Sequence, residues 1–133
     1  MTLRFAPLAL CLAVLAAPSF ADPLGLPLAA GSYIRQGEAC ATANDANLAL
    51  VHEKGVNTPE LYCEFEFAEE IDLEVWSFAG ECEHVEQRAP YLNEGTIEII
   101  DDNTFRFNDG VVEGRYSYCA PETLPAPYGS SAG

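Results

Sequence analysis

Alternation of apolar and polar side chains is the pattern that most restricts how this chain can fold. Leu61, Cys63, Phe65 and Phe67 occupy every second position and are separated by tyrosine and glutamate. Successive side chains of a β-strand point to opposite faces, so this period of two predicts a strand with one buried face. Aromatic and β-branched residues, which fill the alternating segments, also favour strands.

The same period recurs across residues 31–119 and predicts an all-β domain. We expect six or seven antiparallel strands that close into a small barrel or sandwich. Residues 96–100 and 104–107 flank an Asp-Asp-Asn turn and predict a hairpin. A short helix stays open near 41–46 or at 81–87, although neither stretch has a clear helical repeat. The candidate strands lie within 32–36, 48–52, 61–67, 71–75, 96–100, 104–107 and 112–119.

Trp76 and Phe78 do not fit the register of the strand predicted before them. They fall on the opposite parity from Ile71, Leu73 and Val75. A bulge near Val75 and Trp76 could restore the register, the strand could have a second buried face, or both aromatic rings could be exposed. A bulge or a second buried face is the more common arrangement and is the one we expect.

The ends of the chain differ from this domain. Residues 1–21 contain Arg4, an uncharged and mostly apolar run at 5–17, and small residues at 19 and 21, which is typical of a cleaved secretory signal. The apolar run spans only about 20 Å as a helix, too short for a membrane core of about 30 Å. We therefore expect a periplasmic or secreted protein with no membrane insertion after cleavage. Residues 22–30 are predicted to be an extended lead-in, and the proline-rich residues 120–133 a mobile tail.

Four cysteines remain after the signal: Cys40, Cys63, Cys82 and Cys119. An even number in an exported chain predicts two disulfides, which three pairings would satisfy. The order along the chain favours Cys40–Cys63 with Cys82–Cys119. The cysteines are too widely spaced for a typical zinc site, so we expect neither a metal nor a cofactor.

Acidic residues dominate the composition. The chain has 21 Asp and Glu against six Lys and Arg, a formal net charge of −15. Removing residues 1–21 removes one basic residue and no acidic one, so the charge becomes −16 over the remaining 112 residues. Such a chain repels nucleic acid and anionic lipid and attracts cationic partners.

The carboxylates concentrate between residues 64 and 74, where six of eleven residues are acidic. If two consecutive strands carry them, their outward faces form one negative surface. We therefore predict a non-catalytic binding or inhibitory module for a cationic protein or peptide. The predicted partner-binding residues are Tyr62, Glu64, Glu66, Asp72 and Glu74.

Two other functions stay open. A structural or assembly component of the cell envelope would use Trp76 and Phe78 in a subunit contact. A small hydrolase would combine carboxylates with His52 or His84 in a pocket. No nucleophile elbow or catalytic set is found, so no catalytic residue is predicted. The Asp- and Asn-rich segment 101–110 lacks the spacing of a calcium loop, and turn formation explains it better, although a weak surface calcium site stays open.

Several segments look familiar together. They are GSYIRQGEAC at 31–40, Asn47 and Leu48 before Gly55, and YSYC at 116–119. The chain resembles small exported cysteine-containing proteins of proteobacteria with no assigned function. This resemblance implies a periplasmic β domain with disulfides and carries over no catalytic residue.

Overall fold

A computed structural model describes residues 25–87 and 89–130, so the predicted signal peptide at 1–21 lies outside the described residues. Within these ranges the chain is all-β, as predicted. No helix there is long and apolar enough to cross a membrane. The strands are β1 (Gly31–Arg35), β2 (Leu48–His52), β3 (Gly55–Asn57), β4 (Leu61–Asp72), β5 (Val75–His84), β6 (Pro90–Asp101), β7 (Thr104–Asn108) and β8 (Glu113–Tyr118).

The eight strands form a closed antiparallel barrel. Each strand pairs with the next along the chain, and β8 pairs with β1 to close the ring. The predicted hairpin at 96–107 is confirmed by the pairing of β6 with β7. The predicted strand number is too low, because β3 has only three residues and β5 was not recognised.

The predicted strand at 71–75 is wrong. Asp72 pairs with Val75, so Leu73 and Glu74 form a tight turn between β4 and β5. Trp76 and Phe78 therefore belong to a new strand with its own parity. Phe78 is buried and Trp76 packs against the core, so the interpretation in which both rings are exposed is wrong. The predicted bulge near Val75 and Trp76 is also wrong, because the change of parity comes from the turn and the start of β5.

The two positions left open for a helix have other structures. Residues 81–84 belong to β5. Near 41–46 the chain makes only one turn of 3-10 helix, η1 (Cys40–Thr42).

Aromatic side chains fill the barrel. Tyr33, Phe78, Phe105, Phe107 and Tyr116 are all buried in one cluster. Leucines from the predicted lead-in complete this core, because the segment before β1 packs against it with side chains that are no more than 1% exposed; they are Leu26 and Leu28.

A second, smaller cluster lies outside the barrel wall. Ile34 and Cys119 are buried there and contact Leu124 and Tyr128. Residues 121–130, predicted as part of a mobile tail, instead form two 3-10 helices, η2 (Pro121–Thr123) and η3 (Tyr128–Ser130). The Tyr128 hydroxyl donates a hydrogen bond to Asp45 Oδ1 at 2.7 Å.

All four predicted cysteines form disulfides, but the favoured pairing is wrong. The bonds are Cys40–Cys119 and Cys63–Cys82. Cys63 and Cys82 lie directly opposite each other in β4 and β5. Cys119 follows β8, which pairs with β1, and the chain after β1 carries Cys40 back to it. Two disulfides are consistent with a non-cytoplasmic protein.

Candidate functional site

The outer surface of β4, β5 and β6 is a continuous face, which we call the acidic face. These three strands are the longest in the barrel. Most of their inward positions are buried or half-buried, so the alternate positions point outwards and align in rows across the sheet. From β4 to β6 the rows are Tyr62, Glu83 and Pro90; Glu64, Glu81 and Leu92; Phe67, Ala79 and Glu94; Glu69, Ser77 and Thr96; and Asp72, Val75 and Glu98.

A β-bulge places an aromatic ring on this face. Phe65 pairs with Gly80 and Phe67 pairs with Ala79, so Glu66 is an extra residue in β4. The bulge reverses the parity of the strand: Phe65 is buried, Phe67 is 49% exposed, and Ala68 packs against the core. The prediction that Phe67 shares the buried face with Phe65 is therefore wrong.

Seven of the fifteen residues in the acidic face are carboxylates. Among the described residues, two cations contact them: Lys54 Nζ lies 4.0 Å from Glu64 Oε1, and Arg106 lies 3.6 Å from Glu98. Glu64 is directly opposite Glu81 in the strand pair. Like charges in such positions destabilise a sheet, so a positive charge placed near Glu64 and Glu81 would be stabilising.

The predicted partner-binding residues are spread along one strand and its turn rather than over two strands. Tyr62 and Glu64 lie at one end of the acidic face, and Asp72 lies at the other, about 27 Å away from Tyr62. Glu66 is the exposed bulge residue, and Glu74 lies in the turn after β4. The structure thus brings Tyr62 and Glu64 together and separates them from Asp72 and Glu74.

A shallow groove of about 380 Å³ runs beside this end of the face, with His52, Glu64, Glu81 and Glu83 in its lining. Both ring nitrogens of His52 are engaged. Nδ1 accepts a hydrogen bond from the backbone amide of Lys54 at 3.3 Å, which leaves the proton on Nε2, 3.1 Å from Asn57 Oδ1. With both nitrogens bonded, the imidazole has no free lone pair in this arrangement for general base catalysis.

Asn57 links the groove to the barrel wall. Its Oδ1 also accepts a hydrogen bond from the backbone amide of Cys63 at 3.1 Å, where the pairing of β3 with β4 is short. The hydrogen bonds of His52 and Asn57 therefore join β2, β3 and β4 beneath the carboxylates. The carboxylates that line the groove therefore lie on strands that these hydrogen bonds hold together.

The Asp- and Asn-rich turns use their side chains locally. Asp101 Oδ1 accepts a hydrogen bond from the amide of Asn103, and Asn108 Oδ1 from that of Gly110. Asp109 Oδ1 accepts from the amides of two residues that follow it. These contacts support the turn interpretation of 101–110. Across 25–87 and 89–130, no three His, Cys, Asp or Glu side chains are grouped so that they could hold a metal ion.

The arginines of β1 and β8 lie away from the acidic face, whereas Arg106 of β7 lies at its edge and contacts Glu98. Arg35 Nη2 contacts Glu60 Oε1 at 3.1 Å and lies beside the buried Tyr116 hydroxyl. Burial raises the pKa of Tyr116, and the Arg35 guanidinium acts in the opposite direction. In the ring of eight strands, β1 is diametrically opposite β5. Arg35 and Arg115 therefore lie on the far side of the barrel from the acidic face.

Sequence reasoning missed several residues of the acidic face, because β5 and its register were not recognised. A signal was available: Trp76, Phe78 and Cys82 share one parity, which places the intervening glutamates of β5 outwards. The missed residues are Phe67, Glu81, Glu83, Leu92 and Glu94.

No protein-family model, curated protein or solved structure matches this chain. The chemistry of the acidic face is thus the basis on which a function can be assigned. Its carboxylates are largely open to solvent, which suits attraction of a cation better than acid–base catalysis.

Proposed function

We propose that the protein is an exported, non-catalytic binding or inhibitory module whose acidic face receives a cationic protein or peptide. The export signal predicted at 1–21 and the two disulfides support a periplasmic or secreted location. The charge of the whole chain and the surface of β4–β6 support a cationic partner.

The observation that carries this proposal is the excess of carboxylates on the acidic face. Seven carboxylates have two contacting cations among the residues that the structure describes. Lysine or arginine side chains from a partner would relieve the repulsion between Glu64 and Glu81. The surrounding field would also speed the encounter with such a partner.

The size of the face indicates what kind of complex to expect. Five rows about 7 Å apart and three strands about 5 Å apart cover about 27 Å by 10 Å between the outermost residues, a footprint of about 270 Å². A standard interface buries about 800 Å² per partner. The complex is therefore expected to be transient and strongly dependent on salt, because exposed charges are screened within about 10 Å at 0.1 M ionic strength.

A matched pair of variants tests the proposal. The face variant E64Q/E81Q/E94Q removes three charges from β4–β6. The control variant E53Q/D102N/E122Q removes three charges from exposed positions in two turns and η2. The probe is a fluorescein-labelled peptide of alternating lysine and serine, and its fluorescence anisotropy is measured at 20, 100 and 300 mM salt.

We expect the face variant to weaken binding at least tenfold at 20 mM salt and the control variant to weaken it less than threefold. The wild-type affinity should fall steeply between 20 and 300 mM salt. Equal losses in the two variants would show that net charge alone attracts the peptide, and the face would then have no special role. Absence of binding at every salt concentration would also refute the proposal.

A further inference from the structure

We infer that the partner segment is a cationic amphipathic helix, in which lysine or arginine alternates with apolar side chains along one face. This inference rests on the proposed function and names the class of partner that the acidic face fits. It depends on the apolar side chains between the carboxylates, which electrostatics alone does not explain.

Three large apolar side chains are exposed in the first three rows of the acidic face. Tyr62 is 55% exposed, Phe67 is 49% exposed and Leu92 is 79% exposed. Their rows also contain four carboxylates: Glu64, Glu81, Glu83 and Glu94. A purely cationic partner would leave the apolar groups in water, whereas an apolar partner would bury the carboxylates unpaired. A partner with both kinds of side chain satisfies the whole surface.

The exposure of Phe67 results from the bulge at Glu66. Without the bulge, the period of β4 would place Phe67 inside the barrel with Phe65. With the bulge, Ala68 takes the inward position and the ring of Phe67 lies beside Ala79 and Glu94 on the outer surface. Bulges often re-aim a side chain at a binding surface.

The side chains of the face restrict how a partner can bind. β5 pairs with both β4 and β6 along nearly its whole length, whereas β4 pairs with β3 only at Tyr62 and β6 pairs with β7 only from Thr96 onwards. The apolar and acidic side chains of the face point out of the sheet, so a partner that contacts them all must lie across the three strands rather than along one strand edge. The face is about 27 Å long and about 10 Å between its outer strands. An α-helix of 18 residues has about this length and diameter.

Two 18-residue peptides distinguish this inference from the proposed function. Both carry lysines at the same positions. One has leucine at the intervening positions of the same helical face, and the other has serine there. We expect the lysine–leucine peptide to bind the oxidised protein at least tenfold more tightly. Bound to the all-β protein, it should add helical signal at 222 nm in the circular dichroism difference spectrum.

Variants assign that preference to the face. F67A/L92A should reduce the affinity for the lysine–leucine peptide to that for the lysine–serine peptide, and should leave the latter unchanged. The matched control L73A/V111A removes two side chains that are 80% and 93% exposed in turns outside the face, and should retain the full preference. Fluorescence of Trp76, which packs against the core, reports whether each variant is folded.

The outcomes separate the two claims. Equal, salt-dependent binding of both peptides would overturn this inference and leave the proposed function standing. A preference for leucine that persists in F67A/L92A would also overturn it, because the apolar contact would lie elsewhere. Binding of neither peptide would count against both claims.

Discussion

The Cys40–Cys119 disulfide should stabilise the fold more than the Cys63–Cys82 disulfide. The two bonds close loops with sequence separations of 79 and 19 residues. The loss of loop entropy in the unfolded chain corresponds to about 4.5 kcal/mol for the longer loop and about 3.2 kcal/mol for the shorter one. The expected difference in the free energy of unfolding is therefore about 1.3 kcal/mol.

Urea unfolding of C40A/C119A and C63A/C82A measures this difference. Trp76 is the only tryptophan and packs against the core, so its fluorescence follows unfolding. Alanine also removes buried sulfur atoms, and this loss is larger in the main core, where Cys63 and Cys82 lie. The packing effect of each variant is measured separately, as its difference in the free energy of unfolding from the fully reduced wild type. This difference is then subtracted from the loss of stability of the same variant relative to the oxidised wild type.

After this correction, C40A/C119A should be the less stable variant. A larger corrected loss in C63A/C82A, or equal losses, would refute the loop-entropy reasoning. Peptide mapping without reduction provides the structural control. Finding Cys40 linked to Cys63 would show that the pairing itself is wrong.

Three further predictions concern the core and the acidic face. Burial raises the pKa of Tyr33 to about 12. The free energy of unfolding should therefore fall by up to about 2.7 kcal/mol as the pH rises from 10 towards 12, because the unfolded chain ionises this tyrosine first. Urea unfolding across this pH range should show a smaller fall in the Y33F variant. Gly80→Ala would bring a Cβ atom against the backbone of Glu64, and should lower the free energy of unfolding by about 1–3 kcal/mol; an unchanged urea midpoint would contradict this contact. Glu81→Gln removes the charge opposite Glu64, and should raise stability by about 0.2–1 kcal/mol at low salt but not at 1 M salt; a loss at low salt would show that the repulsion is already compensated.

The period of two predicted the fold class because one face of nearly every strand is buried. Leu61, Cys63 and Phe65 are buried as their spacing predicts. The hairpin of β6 and β7 was recognised because Asp101 and Asn103 give a clear turn signal. Local patterns were therefore sufficient where burial and turn chemistry agreed.

The turn between β4 and β5 could not be predicted in the same way. Leu73 and Glu74 occupy it without glycine, asparagine or proline, and Glu74 has a φ of 60°, a left-handed conformation that glutamate seldom adopts. The apolar residues Ile71 and Leu73 continued the apparent alternation although both are exposed. This one error hid β5 and with it a third of the residues of the acidic face.

Disulfide pairing and the composition of the acidic face share another limit. Both depend on which residues lie opposite each other in neighbouring strands, and the bulge at Glu66 shifts that register by one residue. Tyr62 and Glu64 were predicted because they are adjacent in one strand. Their partners Glu83 and Glu81 follow only from the register of β4 with β5.

Several features of the acidic face oppose stability, and the proposed binding role would account for them. An exposed Phe67 on a bulge and a glutamate opposite a glutamate are each unfavourable for an isolated sheet. The aromatic core and the two disulfides stabilise the rest of the barrel and offset the unfavourable contribution of this face. The arginines of β1 and β8, Arg35 and Arg115, lie across the ring from β5 and therefore do not compensate the carboxylates of this face. A barrel selected for stability alone would instead place these arginines beside Glu64 and Glu81.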